Sequence, residues 1–228
     1  MANVICIAGE SGSGKTTSCR NLDPKTTYYI DCDKKGLSWK GWKDQYNSKN
    51  QNYLRTDFQQ IVLKALRWIN GFTLDQNGNL IKDEKGTGLK YRTVVVDTLN
   101  GIMVSDEMRR TKEKGYDKWM DLASSIYDII DYALTMRDDV TIIFIAHTQT
   151  ERDDNGYSFT RIKTSGKKLD KITLESKFST VLLAKSIDGR FVFETKANNS
   201  TAKTPMGLIE AAEVDNDIVP IIKALEEF

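Results

Sequence analysis

The residues Gly9-Glu10-Ser11-Gly12-Ser13-Gly14-Lys15-Thr16 fit the pattern G-x-x-x-x-G-K-[ST] at every fixed position. The glycines let the backbone take turns that a side chain would block. Successive N–H groups then point into one concavity and surround a phosphate. Lys15 is placed to reach β- and γ-phosphates and the Thr16 hydroxyl to bind Mg²⁺, with Thr17 continuing the phosphate-facing turn. A helix starting near Lys15 would turn its positive end toward the same anion. These residue types at this spacing point to a nucleoside triphosphate held with Mg²⁺.

Three further positions follow from the rule that ligands of a parallel α/β sheet gather at the C-terminal ends of its strands. Asp97 ends "TVVVD" and can hold Mg²⁺ beside the phosphate loop or simply cap the next helix. Asp31 and Asp33 lie in "YYIDCD"; one of them can orient an attacking water, or both can be capping or solvated carboxylates. His147, the single histidine of the chain, ends "FIAH" and is either structural or a group that senses the nucleotide. A fourth place is basic. Arg161, Lys163, Lys167, Lys168 and Lys171 are set against Asp170 alone, with Tyr157 and Phe159 just before them. Such cations neutralise nucleic-acid phosphates while aromatic rings stack on bases; the same residues can also form a solvated basic hairpin.

These groups need elements to position them. "NVICIA" reads as a buried strand before the loop, and "KTTSCRNL" as a helix ending before Pro24. "TTYYID" reads as a second strand, followed by a polar segment in which Trp39 and Trp42 either pack on the core edge or stack on a base. "DFQQIVLKALRWING" has helical apolar spacing with Asp57 as its N-cap. Residues 72–90 read as a hairpin insertion turning at Asn77-Gly78. "YRTVVVD", "VTIIFIAHTQT", "FSTVLLAKS" and "RFVFETK" read as strands, "WMDLASSIYDIIDYALTMRDD" and "DNDIVPIIKALEEF" as helices, and "ERDDNGYSFTRIK" as a hairpin turning at Asn155-Gly156. Strands alternating with helices imply one α/β domain over residues 1–228 with a mainly parallel sheet covered on both faces.

Composition narrows the classes. A net charge of +1 over 228 residues excludes a chain-wide basic field, so any nucleic-acid surface is local. Three cysteines without metal-ligand spacing read as reduced, buried thiols of a cytoplasmic protein. The apolar runs are too short to span a bilayer and no signal peptide is read, so no membrane partner is expected.

In this order the motifs resemble a RecA-type ATPase core, and most closely the phage-encoded RecA-like ATPases of the single-strand-annealing and recombination type, over about residues 1–210. The resemblance places Asp33 of "YIDCD" at the family's catalytic glutamate, Asp97 of "TVVVDT" at the Walker B carboxylate, and His147 at the γ-phosphate sensor, usually a glutamine. It makes residues 148–172, including "TSGKKLDK", a DNA-binding loop, and "NNSTAKTPMGL" the late loop. It implies ATP and Mg²⁺ as ligands, and Lys15, Asp33, Asp97 and His147 as the catalytic set. It further implies single-stranded DNA as partner, head-to-tail homo-oligomers, and contacts with other recombination or single-strand-binding proteins in the host cytoplasm. In such oligomers a neighbour supplies a cation to the γ-phosphate, and Lys196 or Lys203 is expected in that role. Asp33 is one methylene shorter than glutamate, which weakens the water-orienting role. The polymerisation segment and C-terminal domain of bacterial recombinases are not read in the sequence, so annealing or assistance is expected rather than strand exchange. The competing classes are a P-loop kinase acting on nucleosides or small molecules and a non-hydrolysing nucleotide switch.

Overall fold

In the computed structural model the described residues are 1–113, 115–152, 156, 158–164 and 173–228. Strand β1 (Asn3–Gly9) enters the phosphate loop; β2 (Thr27–Asp31), a short helix α1 (Trp42–Gln45) and β3 (Tyr53–Arg55) follow. Next come α2 (Gln59–Ile69), the hairpin β4 (Phe72–Leu74) and β5 (Leu80–Lys82), β6 (Thr93–Asp97), α3 (Leu99–Arg109) and α4 (Tyr116–Leu134). The chain closes with β7 (Thr141–Arg152), β8 (Ser158–Ile162), β9 (Thr180–Ile187), β10 (Arg190–Glu194), β11 (Glu213–Asp215) and α5 (Ile218–Glu227).

The main sheet runs β11-β10-β9-β1-β7-β6-β2-β3, with β8 hanging from the extended end of β7. From β9 to β3 the pairs are parallel, and β10, β11 and β8 add antiparallel edges. This is the α/β P-loop core that the alternation of elements predicts. Every residue of β2 and β6 is buried, which is why these strands read as continuous apolar runs rather than as alternating ones. One sheet face packs on α2, α3 and α4 through Val62, Leu66, Ile102 and Ile126. The other packs on α5 and the turn after the phosphate loop through Ile218, Ile221, Cys19 and Leu22, with Trp39 and Trp42 against its edge. Of the two readings for these tryptophans, packing is the one observed: Trp39 lies edge-on to Tyr29 and Tyr46.

Two expectations are corrected. The segment after the phosphate loop is not an extended helix but a single 3₁₀ turn, Thr17–Cys19. Only Ser18 N–H reaches back four residues, to Gly14; Cys19, Arg20 and Leu22 reach back three, to Thr16, Thr17 and Cys19. Pro24 leaves room for little more before β2. Asp57 is not the N-cap of α2; Phe58 holds that position without a side-chain bond. Asp57 instead pairs with Lys34 at 2.7 Å and Arg109 at 3.2 Å, a charge-assisted pairing that joins α3 to the segment after β2.

Within residues 72–90, β4 and β5 pair as an antiparallel hairpin with Gly78 at φ 83° in its turn, and a 3₁₀ turn, Thr87–Lys90, follows it. Helix α3 and strands β3 and β11 had no sequence signal. "LNGIMVSDEMR" carries a glycine and a weak apolar stripe, yet Gly101 has a steric reason. A Cβ there would stand 2.5 Å from Asp33 Oδ1 and 2.8 Å from the Cys32 carbonyl.

Candidate nucleotide site and its coupling to the β7–β8 hairpin

Register brings the chemical groups to one end of the sheet. Gly9 of β1 is level with His147 of β7, and Asp97 of β6 is level with Ile145 of the same strand. The loop after Gly9 folds tightly. A Cβ on Gly9 would lie 2.5 Å from Ser13 Oγ and 2.6 Å from the Ala184 carbonyl, and Gly14 has φ 91°, a region that favours glycine.

Lys15 is 6% exposed, and its Nζ donates to the Glu10 carbonyl at 2.6 Å. Burial lowers its pKa to about 8, against the pull of the Asp97 carboxylate. A cation held inside the loop on a main-chain carbonyl is poised to exchange that contact for a phosphate oxygen.

Thr16 Oγ1 donates to Asp97 Oδ2 at 2.8 Å, and the Tyr29 hydroxyl donates to the same oxygen at 2.7 Å. Asp97 is 3% exposed and its Oδ1 has no hydrogen-bond partner. Burial raises its pKa, and the bonds from Tyr29 and Thr16 oppose the rise. An unsatisfied buried carboxylate oxygen beside a phosphate-loop hydroxyl is a donor set that fits Mg²⁺, which takes one or two carboxylates and completes its shell with phosphate and water. Among the described residues no cluster of three or more His, Cys, Asp or Glu offers an alternative metal site. Thr16 and Asp97 would hold the ion, and its charge would neutralise the β- and γ-phosphate oxygens.

The two acidic residues after β2 have different surroundings. Asp31 is buried and accepts from Gly36 N at 2.8 Å and from the Tyr53 hydroxyl at 2.6 Å, so it braces the following loop. Asp33 takes Lys35 Nζ at 2.6 Å on one oxygen and the Thr98 hydroxyl at 3.0 Å on the other. It shares a cavity wall with Asn100, Gly101 and His147. A neighbouring cavity of about 180 Å³ over the phosphate loop is lined by Lys15, Thr17, Lys35, Thr98, His147 and Phe191. His147 therefore borders both spaces. Burial, and next the Lys15 charge, lower its pKa, which keeps the ring neutral near pH 7.

Sequence reasoning missed Tyr29, Lys35, Thr98, Asn100 and Phe191. None carries a motif. Lys35 matters because it brings a cation to the cavity within the same chain. Asn100 matters because its Oδ1 accepts the His147 N–H at 2.7 Å while its Nδ2 donates to the Lys163 carbonyl at 2.7 Å. Lys163 N in turn donates to the His147 carbonyl at 2.7 Å.

The basic segment is reached only in part. Arg161 on β8 pairs with Glu151 of β7 at 2.9 Å, so its charge is engaged within the hairpin. Lys163 is exposed just beyond β8. Lys167, Lys168, Lys171, Tyr157 and the turn residue Asn155 lie outside the described residues. The two lysines expected to act in trans do not line their own phosphate cavity. Lys203 bridges Val181, which is level with Cys6 rather than with Gly9. Lys196 Nζ is held by the Glu210 carbonyl.

No helix among the described residues is long and apolar enough to cross a membrane. No curated protein matches the chain. The model of a protein family described as an AAA domain matches residues 1–206. With the phosphate loop, the Thr16–Asp97 pair and the parallel sheet that joins them, the chain belongs to this AAA domain family of nucleotide-binding P-loop ATPases.

Proposed function

We propose that the protein hydrolyses ATP with Mg²⁺ and uses the nucleotide state to set its 148–172 segment on single-stranded DNA, in the recombination or annealing chemistry of phage RecA-like proteins. The observation that carries this reading is Asn100, which ties the backbone of His147 at the phosphate cavity to that of Lys163 at the root of the basic segment. A change at the γ-phosphate that shifts His147 shifts Lys163 through the two hydrogen bonds of Asn100 and the direct bond from Lys163 N to the His147 carbonyl. Hydrolysis forms a bond from water oxygen to the γ-phosphorus and breaks the bond to the β,γ-bridging oxygen. Asp33 accepts the water proton, and Lys15 and Lys35 face the growing negative charge. Head-to-tail assembly, with Lys196 or Lys203 reaching a neighbour's γ-phosphate, is part of the proposal, as is cooperation with other recombination or single-strand-binding proteins.

A second reading is a nucleotide switch without turnover. It is favoured by the double engagement of Asp33, which Lys35 and Thr98 both hold. One experiment separates the two: ATPase rate with and without single-stranded DNA, beside a gel shift, for wild type and Asn100→Ala. The expected result is stimulation by DNA and ATP-dependent DNA binding in wild type. Asn100→Ala should bind ATP but weaken both effects, since only the direct bond from Lys163 N to the His147 carbonyl is left. Tight ATP binding with no turnover on any polynucleotide leaves the switch, and phosphate transfer to nucleosides leaves a kinase.

A further inference from the structure

Phe191 stands on β10 two residues before Phe193, on the same side of that strand, yet Phe193 is fully buried and Phe191 is 45% exposed. Its ring lies against the phosphate loop: a Cβ on Gly14 would be 2.9 Å from Phe191 Cδ1. Asn216, just after β11, reaches the same glycine, with Oδ1 3.1 Å from that Cβ position. Asn216 is 5% exposed, and neither its amide oxygen nor its amide nitrogen has a hydrogen-bond partner. Its backbone carbonyl is fixed by Arg20 Nη1 at 2.7 Å, so the residue is held in place while its side chain is unsatisfied. Buried amides are nearly always hydrogen-bonded, and one left unpaired costs free energy unless a ligand completes it.

Phe191 lines the cavity over the phosphate loop, and the Asn216 amide lies buried beside it against Gly14. Lys35 and Thr98, both bonded to Asp33, line the cavity together with His147, while Phe191 lines it against Gly14 and Thr17 lines it from the loop itself. A triphosphate with its γ-phosphate at Lys15 and His147 directs the rest of the nucleotide toward Thr17 and Phe191. We propose that Phe191 and Asn216 form the nucleobase subsite, the ring stacking on the base and the amide bonding its edge. This rests on the reading of the loop as the ATP site. The ring covers the amide at Gly14, so engagement requires Phe191 to swing off the glycine, and its exposure leaves room for that rotation. An asparagine amide offers one acceptor and one donor. The adenine edge presents the matching N6–H donor and N7 acceptor, whereas guanine presents two acceptors there, O6 and N7. The subsite therefore selects adenine.

The test is equilibrium binding of ATP, GTP and inorganic tripolyphosphate to the full chain, with wild type, Phe191→Ala, Phe191→Trp and Asn216→Ala. Stacking predicts that Phe191→Ala loses about tenfold or more in ATP affinity, keeps its tripolyphosphate affinity, and that Phe191→Trp retains ATP binding. Asn216→Ala should bring the ATP and GTP affinities together. Wild-type ATP affinity in Phe191→Ala, or an equal loss for tripolyphosphate, overturns the stacking role, since the second result means the ring only supports the loop. An unchanged preference in Asn216→Ala overturns edge reading. Wild type that binds ATP no better than tripolyphosphate removes the subsite while leaving the phosphate site intact; wild type that binds neither removes both.

Discussion

The Tyr29 hydroxyl donates to Asp97 at 2.7 Å across adjacent strands, sharing the oxygen that also receives Thr16. Both partners are buried, so Tyr29 fixes the carboxylate while leaving its other oxygen open. Tyr29→Phe should cost about 1 to 3 kcal/mol of stability by denaturant titration. It also removes a bond that favours the ionised form, so the Asp97 pKa, already raised by burial, should rise further. The acid limb of Mg²⁺-dependent turnover should move to higher pH. An unchanged limb would mean that Thr16 alone holds the carboxylate.

Lys15 has its pKa lowered to about 8 by burial. Its cation is present below that pH and lost above it. Affinity for ATP in the free protein should fall as pH rises through about 8. Because bound phosphate favours the charged form, binding above that point should take up a proton. Calorimetry in buffers of different ionisation enthalpy reads this directly, and no proton uptake on the alkaline side would sink the assignment. Lys15→Ala should lose about 100-fold or more in turnover without loss of fold, with no proton uptake left.

The carboxylates after β2 should separate. Asp33→Asn should bind ATP normally but slow hydrolysis by about 100-fold or more, the scale of general-base loss. Asp31→Ala strands the Tyr53 hydroxyl and Gly36 N–H. It should cost about 1 to 3 kcal/mol of stability while turnover per folded molecule persists. The reverse pattern in single-turnover assays would exchange the two roles.

Subunit mixing tests the trans contact. A neighbour's cation at the γ-phosphate can be worth orders of magnitude in rate. Lys15→Ala subunits and Lys196→Ala/Lys203→Ala subunits, each inactive, should recover activity together, because one interface in the mixed assembly keeps both groups. A head-to-tail contact also predicts a ring or filament in light scattering. Lack of recovery in mixtures shown to co-assemble would leave Lys35, which lines the cavity within the same chain, as the cation that serves.

Much of this arrangement was legible along the chain because its signals are local. Gly9 to Thr16 are contiguous, and a phosphate loop is made by the backbone of consecutive residues. Buried parallel strands announce themselves as apolar runs, so β1, β6 and β7 were read from pattern, and the rule about strand ends picked out Asp97, which ends β6, and His147, which is the last β7 residue paired with β1 although β7 itself runs on to Arg152. The local signals also misled. Asp57 precedes a helix as a cap would, but two cations from elsewhere in the fold claim it. The turn after Thr16 is shorter than its composition suggests because Pro24 and the start of β2 follow so closely.

What only the tertiary structure decided are relations between distant residues whose types are ordinary. Asp31 and Asp33 are equivalent as letters, and their surroundings differ because Tyr53 and Gly36 reach one while Lys35 and Thr98 reach the other. Asn100 has no motif; it joins His147 to Lys163 because α3 starts beside the point of β7 where its pairing with β1 ends. Phe191 and Asn216 meet at Gly14 because β10 and β11 pair at the sheet edge next to the phosphate loop. The sequence by itself determined the phosphate chemistry, because that chemistry is made by neighbours in the chain. The partners of that site were decided by strand order and register, which bring together residues as far apart as Gly14 and Asn216 and leave no trace in local spacing.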